Sequence, residues 1–197
     1  TKEDFEFLAL ESSPTIAKVH CTQEIATAGP DSSTGNVIQL LLVAQEASRS
    51  LRPALADLTV TQHTIRQVTA FIDERRLIGT SLQVSEAEYV SVSIEAVVKL
   101  RSGSDFEIAK ESIQEGLYGY IHPTRGGSNE TGWEFGRNLY VPELISKIQQ
   151  TSEVEYTMEI NAFIIDQQTG NRTGPLQEVE VRATSTLRSE THIINCL

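Results

Sequence analysis

Two carboxylates flank the only tryptophan of the chain, in Glu130-Thr131-Gly132-Trp133-Glu134. Paired acids beside an aromatic platform are what a glycosidase needs. One acid protonates the leaving oxygen, the other attacks or activates water, and the indole face stacks on a sugar ring. A plainer reading uses the same residues. Glu130 is a solvated acid on a loop tip, and Trp133 and Phe135 stand among Gly126, Gly127, Gly132 and Gly136. Glycines at that density set backbone conformations that other residues resist, and the rings then hold the loop in a core or against a partner. No further acid, base or ligand pattern accompanies the two glutamates, so the anchor reading is preferred. The anchor candidates are Gly132, Trp133, Phe135, Gly136 and Arg137.

Other chemistries find less support. His20, His63, His122 and His192 make no HxxxH or HExxH spacing. His122 precedes Pro123 at an expected helix end, where a cation suits the helix dipole, and is read as structural. Gly126-Gly127 lacks the lysine and the strand-to-helix context of a phosphate loop, and no GxSxG elbow occurs. Cys21 and Cys196 match no metal or redox spacing and read as two buried reduced thiols. Asp73-Glu74-Arg75-Arg76 reads as local ion pairing at a helix end, with Arg75 and Arg76 as candidate interface residues because arginine is enriched in protein contacts. Neither a catalytic residue, a cofactor nor a metal is expected. Two Asn-x-Thr triplets, at Asn129 and Asn171, are short enough to arise by chance and are set aside.

The 197 residues carry a formal charge of -11, with 39% hydrophobic and 22% charged residues. That is the composition of a folded protein with a real core. The acidity argues against nucleic acid, which is held by clustered Lys and Arg. No stretch approaches the roughly 20 apolar residues that span a bilayer, so direct membrane insertion is not expected.

The elements that must position the loop follow from periodicity. Thr1 caps a first helix that Pro14 ends, and Ile16–Ile25 and Val37–Gln45 read as a strand hairpin around a turn-rich segment, residues 28–36. A helix starts near Thr59 to Thr61, with Ile65, Val68, Phe71 and Ile72 on one stripe, and stops at Gly79. Tyr89–Leu100 alternates strictly, with Val90, Val92, Ile94, Ala96, Val98 and Leu100 inward and a largely wet face opposite. Ser104 and Glu107 suggest a capping box for a helix carrying Phe106, Ala109, Ile113, Leu117 and Tyr120 inward. After the loop, Pro142 opens another helix, with Leu144, Ile145 and Ile148 facing in. Val154 to Ile164 alternates again, Gly170–Pro175 turns, and Glu178–Ala183 and His192–Leu197 read as short strands. Strands with one solvated face predict an α+β fold, its antiparallel or mixed sheets covered by helices on one face. Residues 1–50 are expected to continue an upstream domain, and residues 51–197 to form an α+β domain of their own.

The blocks resemble a family. Asp73-Glu74-Arg75-Arg76-Leu77-Ile78-Gly79-Thr80, followed by Tyr89-Val90-Ser91-Val92-Ser93-Ile94-Glu95-Ala96, is similar to the baseplate J-like proteins of contractile phage tails and extracellular injection systems. His122-Pro123, Gly126-Gly127 and Gly132-Trp133-Glu134-Phe135-Gly136-Arg137 resemble that family's HP…GG…GWpFGR element, and Ser189 with His192 its closing S…H run. Thr1-Lys2-Glu3-Asp4-Phe5-Glu6 and Ala17-Lys18-Val19-His20-Cys21 resemble it more loosely. The chain departs from the pattern at Gln39 and Gln45 and in the inserted Ser128-Asn129-Glu130. The resemblance implies the C-terminal part of a wedge subunit in a six-fold ring around a central spike. Implied partners are a second J-like wedge chain and spike-associated and sheath-proximal subunits. It also implies assembly in the bacterial cytoplasm into a phage tail or injection particle, and no catalytic residues. A glycan-binding or cell-wall hydrolase module remains the alternative.

Overall fold

A computed structural model describes residues 1–25, 36–46, 50–76 and 79–197. Most of the turn expected over residues 28–36 lies outside the described residues, as do Leu77 and Ile78. The fold is α+β and falls into two compact units, one of residues 1–49 and 54–87 and one of residues 50–53 and 88–197. The helix and strand after residue 54 therefore belong with the N-terminal hairpin.

In the first unit, α1 (Lys2–Ser12) begins at Thr1, whose side chain accepts the Asp4 N–H while the Asp4 carboxylate takes the terminal ammonium at 2.6 Å. β1 (Ile16–Ile25) pairs antiparallel with β2 (Asn36–Ala44), and β2 pairs parallel with β3 (Thr80–Glu86) across the crossover helix α2 (Gln62–Asp73). Ala9 of α1 and Val68 and Ile72 of α2 close over Val19, Cys21, Ile38, Leu40 and Leu42. Two bonds fix this layer. The Cys21 N–H donates to Glu6 Oε1 at 2.8 Å, and Gln67 Nε2 donates to the Ser12 carbonyl at 2.7 Å. β2 is the middle strand, and Leu41 and Val43 on its other face are buried too, which explains its continuous apolar run.

α2 ends at Asp73, six residues before Gly79. Arg75 closes its last turn, donating to the Phe71 carbonyl at 2.6 Å with its guanidinium 3.7 Å from the Phe71 ring. Arg76 pairs with Asp73 at 2.6 Å and donates to the Thr80 carbonyl. Arg75 thus satisfies a carbonyl that the helix end leaves open, while Arg76 ties that end to the start of β3.

In the second unit, β4 (Glu88–Leu100) is the spine. β6 (Val154–Ile165) pairs antiparallel along one side and β7 (Arg172–Leu176) extends the sheet beyond it. β9 (Ser185–Ser189) and β10 (Ile193–Cys196) share the other side of β4, both parallel to it. A small antiparallel pair, β5 (Leu139–Tyr140) with β8 (Glu178–Val179), lies apart. α3 (Phe106–Tyr120) and α4 (Val141–Ile148) supply Ala109, Ile113, Leu117, Leu144 and Ile148 to a core that includes Val92, Ile94, Ala96, Val98 and Ile160.

Four expectations change here. The N-cap of α3 is Asp105, not Ser104, and its side chain accepts the N–H groups of Glu107 and Ile108. Phe106, at the first helical position, is exposed rather than inward. In β6 the register shifts at Met158 and again at Glu155, each an extra residue opposite β4. Every such insertion flips the faces that follow, so Tyr156 and Met158 point outward while Val154 returns to the core. The second face of β4 is also drier than alternation predicts, because Ser91 and Ser93 are buried. Arg188 donates to Ser91 Oγ at 2.9 Å, and Ser93 Oγ donates to the Thr191 carbonyl at 2.6 Å. Arg188 belongs to β9, which begins at Ser185, beyond the Glu178–Ala183 stretch expected to be extended; of that stretch only Glu178–Val179 is strand, as β8.

Candidate functional site: the tryptophan loop and the groove beside it

α3 stops at Tyr120 and the chain enters His122-Pro123, where the helix can no longer continue. The next turns fold back on that stop. The His122 carbonyl accepts from Gly126 N at 3.0 Å and from Trp133 N at 2.9 Å, and the Tyr120 carbonyl accepts from Gly127 N at 2.8 Å. This folding leaves no room for a side chain at two positions. A Cβ on Gly126 would lie 2.3 Å from the Tyr120 carbonyl oxygen, and one on Gly132, at φ +91°, would lie 2.2 Å from that of Pro123. The glycine density is thus a packing requirement rather than a mark of looseness.

Trp133 is 0% exposed in the core of the second unit. Its Nε1–H donates to the Arg137 carbonyl at 2.8 Å, and its carbonyl accepts from Thr186 Oγ1 at 2.9 Å, tying the loop to β9. Tyr120 meets the ring edge-on, with centroids 5.4 Å apart, and the Arg137 guanidinium sits 4.5 Å from the indole centre. Glu143 of α4 completes the cluster, accepting from the Tyr120 hydroxyl at 2.6 Å and from Arg137 at 2.8 Å. Burial, and then the bond to Glu143, push the Tyr120 hydroxyl above the ordinary phenol range. Gly136, at φ +69°, turns the chain after Trp133 and donates its N–H to the Ser185 carbonyl, while Phe135 is half-buried.

This arrangement holds a loop rigidly but gives no sugar a flat indole face. Glu130 and Glu134 are both exposed, so neither stands in the enclosed, apolar surroundings in which a general acid is held. His122 is fully buried, its ring nitrogens 3.2 Å from the Ser50 carbonyl and 3.2 Å from Thr124 Oγ1. Among the described residues, no three His, Cys, Asp or Glu side chains gather as metal ligands, and no helix is long and apolar enough to cross a membrane. Cys21 and Cys196 are free and buried, and burial pushes both thiols up.

The sequence indicated the loop but not the second anchor. His192 is 1% exposed and stacks on Tyr118 at 4.5 Å. It lies where β9 has ended and β10 has not begun, so β4 lacks a backbone acceptor opposite Ile94. The ring supplies one. His192 Nδ1 accepts the Ile94 N–H at 3.0 Å, leaving Nε2 to donate to Ser189 Oγ at 3.2 Å, which in turn donates to the Ile121 carbonyl at 3.1 Å. Burial, then the charge of Arg52, hold this imidazole down to about 3, so it is neutral at pH 7. A serine beside a histidine suggests a nucleophile, but Ser189 is sealed from solvent and its hydroxyl is committed. Only the order Ser189…His192 pointed to this network in the sequence.

Beside the loop runs a groove of about 500 Å³. Gly116, Gly119 and Tyr120 of α3, with Leu51, form one side, and Arg125, Gly127, Glu130 and Lys147 contribute to the rim.

No family model and no curated protein matches the chain. A solved structure does, described as "Cryo-EM structure of the anti-feeding prophage (AFP) baseplate, 6-fold symmetrised". One of its chains is 14% identical and superposes with a TM-score of 0.60 over 96% of this chain, which spans 37% of the other's length. At that identity the likeness shows a shared fold.

Proposed function

We propose that the chain is a structural wedge component of the baseplate of a contractile injection system or phage tail. It would help to form the ring around the central spike and link that ring to the sheath. The observation that carries this reading is the likeness of fold along nearly the whole chain to a baseplate subunit. The ordered J-like motif blocks support it independently, because they include the residues that build the tryptophan loop. A ring component works without catalytic groups but needs rigid units and surfaces for neighbours, and the loop serves rigidity by locking α3, α4 and β9 together. Its expected partners are a second J-like wedge chain and spike-associated and sheath-proximal subunits, in a six-fold particle assembled in the bacterial cytoplasm.

Electron microscopy of the purified particle tests the reading. Density for this chain is expected in the ring below the sheath, and a particle whose baseplate lacks it would overturn the proposal. The hydrolase alternative requires wild-type chain to cleave purified cell-wall glycan. The buried indole and exposed acids predict no cleavage.

A further inference from the structure

The chain passes between its two units three times: before Ser50, after Pro53, and between Ala87 and Glu88. The third passage is held by backbone on both sides. The Ala87 N–H donates to the Leu42 carbonyl of β2 at 2.9 Å, and the Glu88 N–H donates to the Thr184 carbonyl at 3.3 Å. Ser50–Pro53 is different. It is a short strap that counts with the second unit yet enters neither helix nor strand.

Side chains alone fasten this strap, and among the described residues no backbone-to-backbone bond does so. His122 Nε2 and Arg125 Nη2 both donate to the Ser50 carbonyl, at 3.2 and 2.8 Å. Arg52 Nη1 donates to Thr191 Oγ1 at 2.6 Å. The strap is thus pinned at the turn after α3 and again at the break between β9 and β10. Pro53 is buried, while Leu51, Arg52 and Arg125 are exposed. The strap also keeps a shape of its own. The Arg52 N–H donates to Ser50 Oγ at 3.2 Å, and Pro53 fixes the backbone that follows. Leaving the seat strands nothing. The groove beside α3 is lined by Leu51, His122 and Arg125, so water can enter and take the vacated bonds. A segment with so few buried contacts and no ladder opens far more readily than a core.

We propose that Ser50–Pro53 is a releasable strap. Seated, it fastens the chain to the second unit; released, it leaves the Ala87–Glu88 passage to hold alone, with both cores intact. The device stands on local geometry and does not depend on the baseplate reading. The two native thiols make its test internal, because Cys21 is buried in the first core and Cys196 in the second. In Pro53→Cys a third thiol reports the strap. Under native conditions a thiol reagent should label position 53 at least about ten-fold faster than Cys21 and Cys196. Arg52→Ala and Arg125→Ala each remove one exposed pin. Each should raise that rate about ten-fold and leave both native thiols as they were. The chain without the added cysteine gives a second readout, which decides the matter should Pro53→Cys itself unseat the strap. Its His122 Nε2 proton should exchange with solvent faster than the β4 amides, and faster again in the two arginine variants. Labelling at position 53 no faster than at the native thiols would overturn the strap. So would a His122 proton that exchanges only as the β4 amides do, or that ignores both arginine changes.

Discussion

Glycine does two opposite things in this chain, and alanine separates them. At Gly132 a methyl group would be driven into the Pro123 carbonyl with the backbone at φ +91°, so Gly132→Ala should destabilise the chain by about 2 kcal/mol or more. At Gly116 the methyl group enters open space and removes a helix penalty, so Gly116→Ala should stabilise by up to about 1 kcal/mol. Urea unfolding of both variants checks the pair. Equal effects would mean that close backbone approach is not what fixes Gly132. Trp133 is the larger test at this scale. Trp133→Ala empties a fully enclosed site and strands the Arg137 carbonyl, an expected loss of about 3–5 kcal/mol. A midpoint close to wild type would refute the anchor. The Trp-glycine pattern revealed this cluster in sequence, but Glu143 and Thr186 join it only through the fold, 10 and 53 positions from Trp133.

Elements depend on contacts that periodicity cannot show, and His192 is the clearest instance. Its ring bridges the break between β9 and β10 by accepting the Ile94 N–H. The imidazole is neutral when folded, held at about 3, but titrates near 6.5 when unfolded. Between those values the unfolded chain binds one more proton, so stability is full above about pH 6.5 and falls as pH drops toward 3. The slope from this group is about 1.4 kcal/mol per pH unit. Urea unfolding between pH 7 and 5.5, above most carboxylate titration, should show a loss of about 1 kcal/mol from this group in wild type, since the unfolded imidazole is only partly protonated near pH 6.5. The loss should shrink in His192→Gln, which will also be less stable throughout, leaving the smaller share of His20, whose imidazole is also lowered by burial; an unchanged loss would assign the pH dependence elsewhere. The same scale shows where sequence reading stopped. Strict alternation identified β4 and capping identified α1, because those signals are local. Alternation misplaced Tyr156 and Met158 because bulges are set by the partner strand's register, and it missed β9 because four of its five residues, Ser185, Thr186, Arg188 and Ser189, are buried polar groups satisfied by tertiary bonds.

At the scale of the whole molecule, the two units keep separate cores. One is built on Leu40, Leu42, Val68 and Ile72, the other on Ile94, Leu117, Trp133 and Leu144. On the proposed baseplate reading, a subunit made this way would hold each unit rigid while contacts between chains change, since strain in one core need not pass into the other. Effects of substitutions add when sites share no partners. Hydrogen exchange on Trp133→Ala should therefore show faster exchange in β4, β6 and β9, where the indole core is lost. Amides of β1 and β2, whose pairing and core exclude Trp133, should keep wild-type protection. A uniform loss of protection across β1 to β10 would mean that the chain opens as one cooperative body. The second unit would then be unable to loosen alone, and the idea that the proposed baseplate subunit works as two independent rigid parts would have to be abandoned.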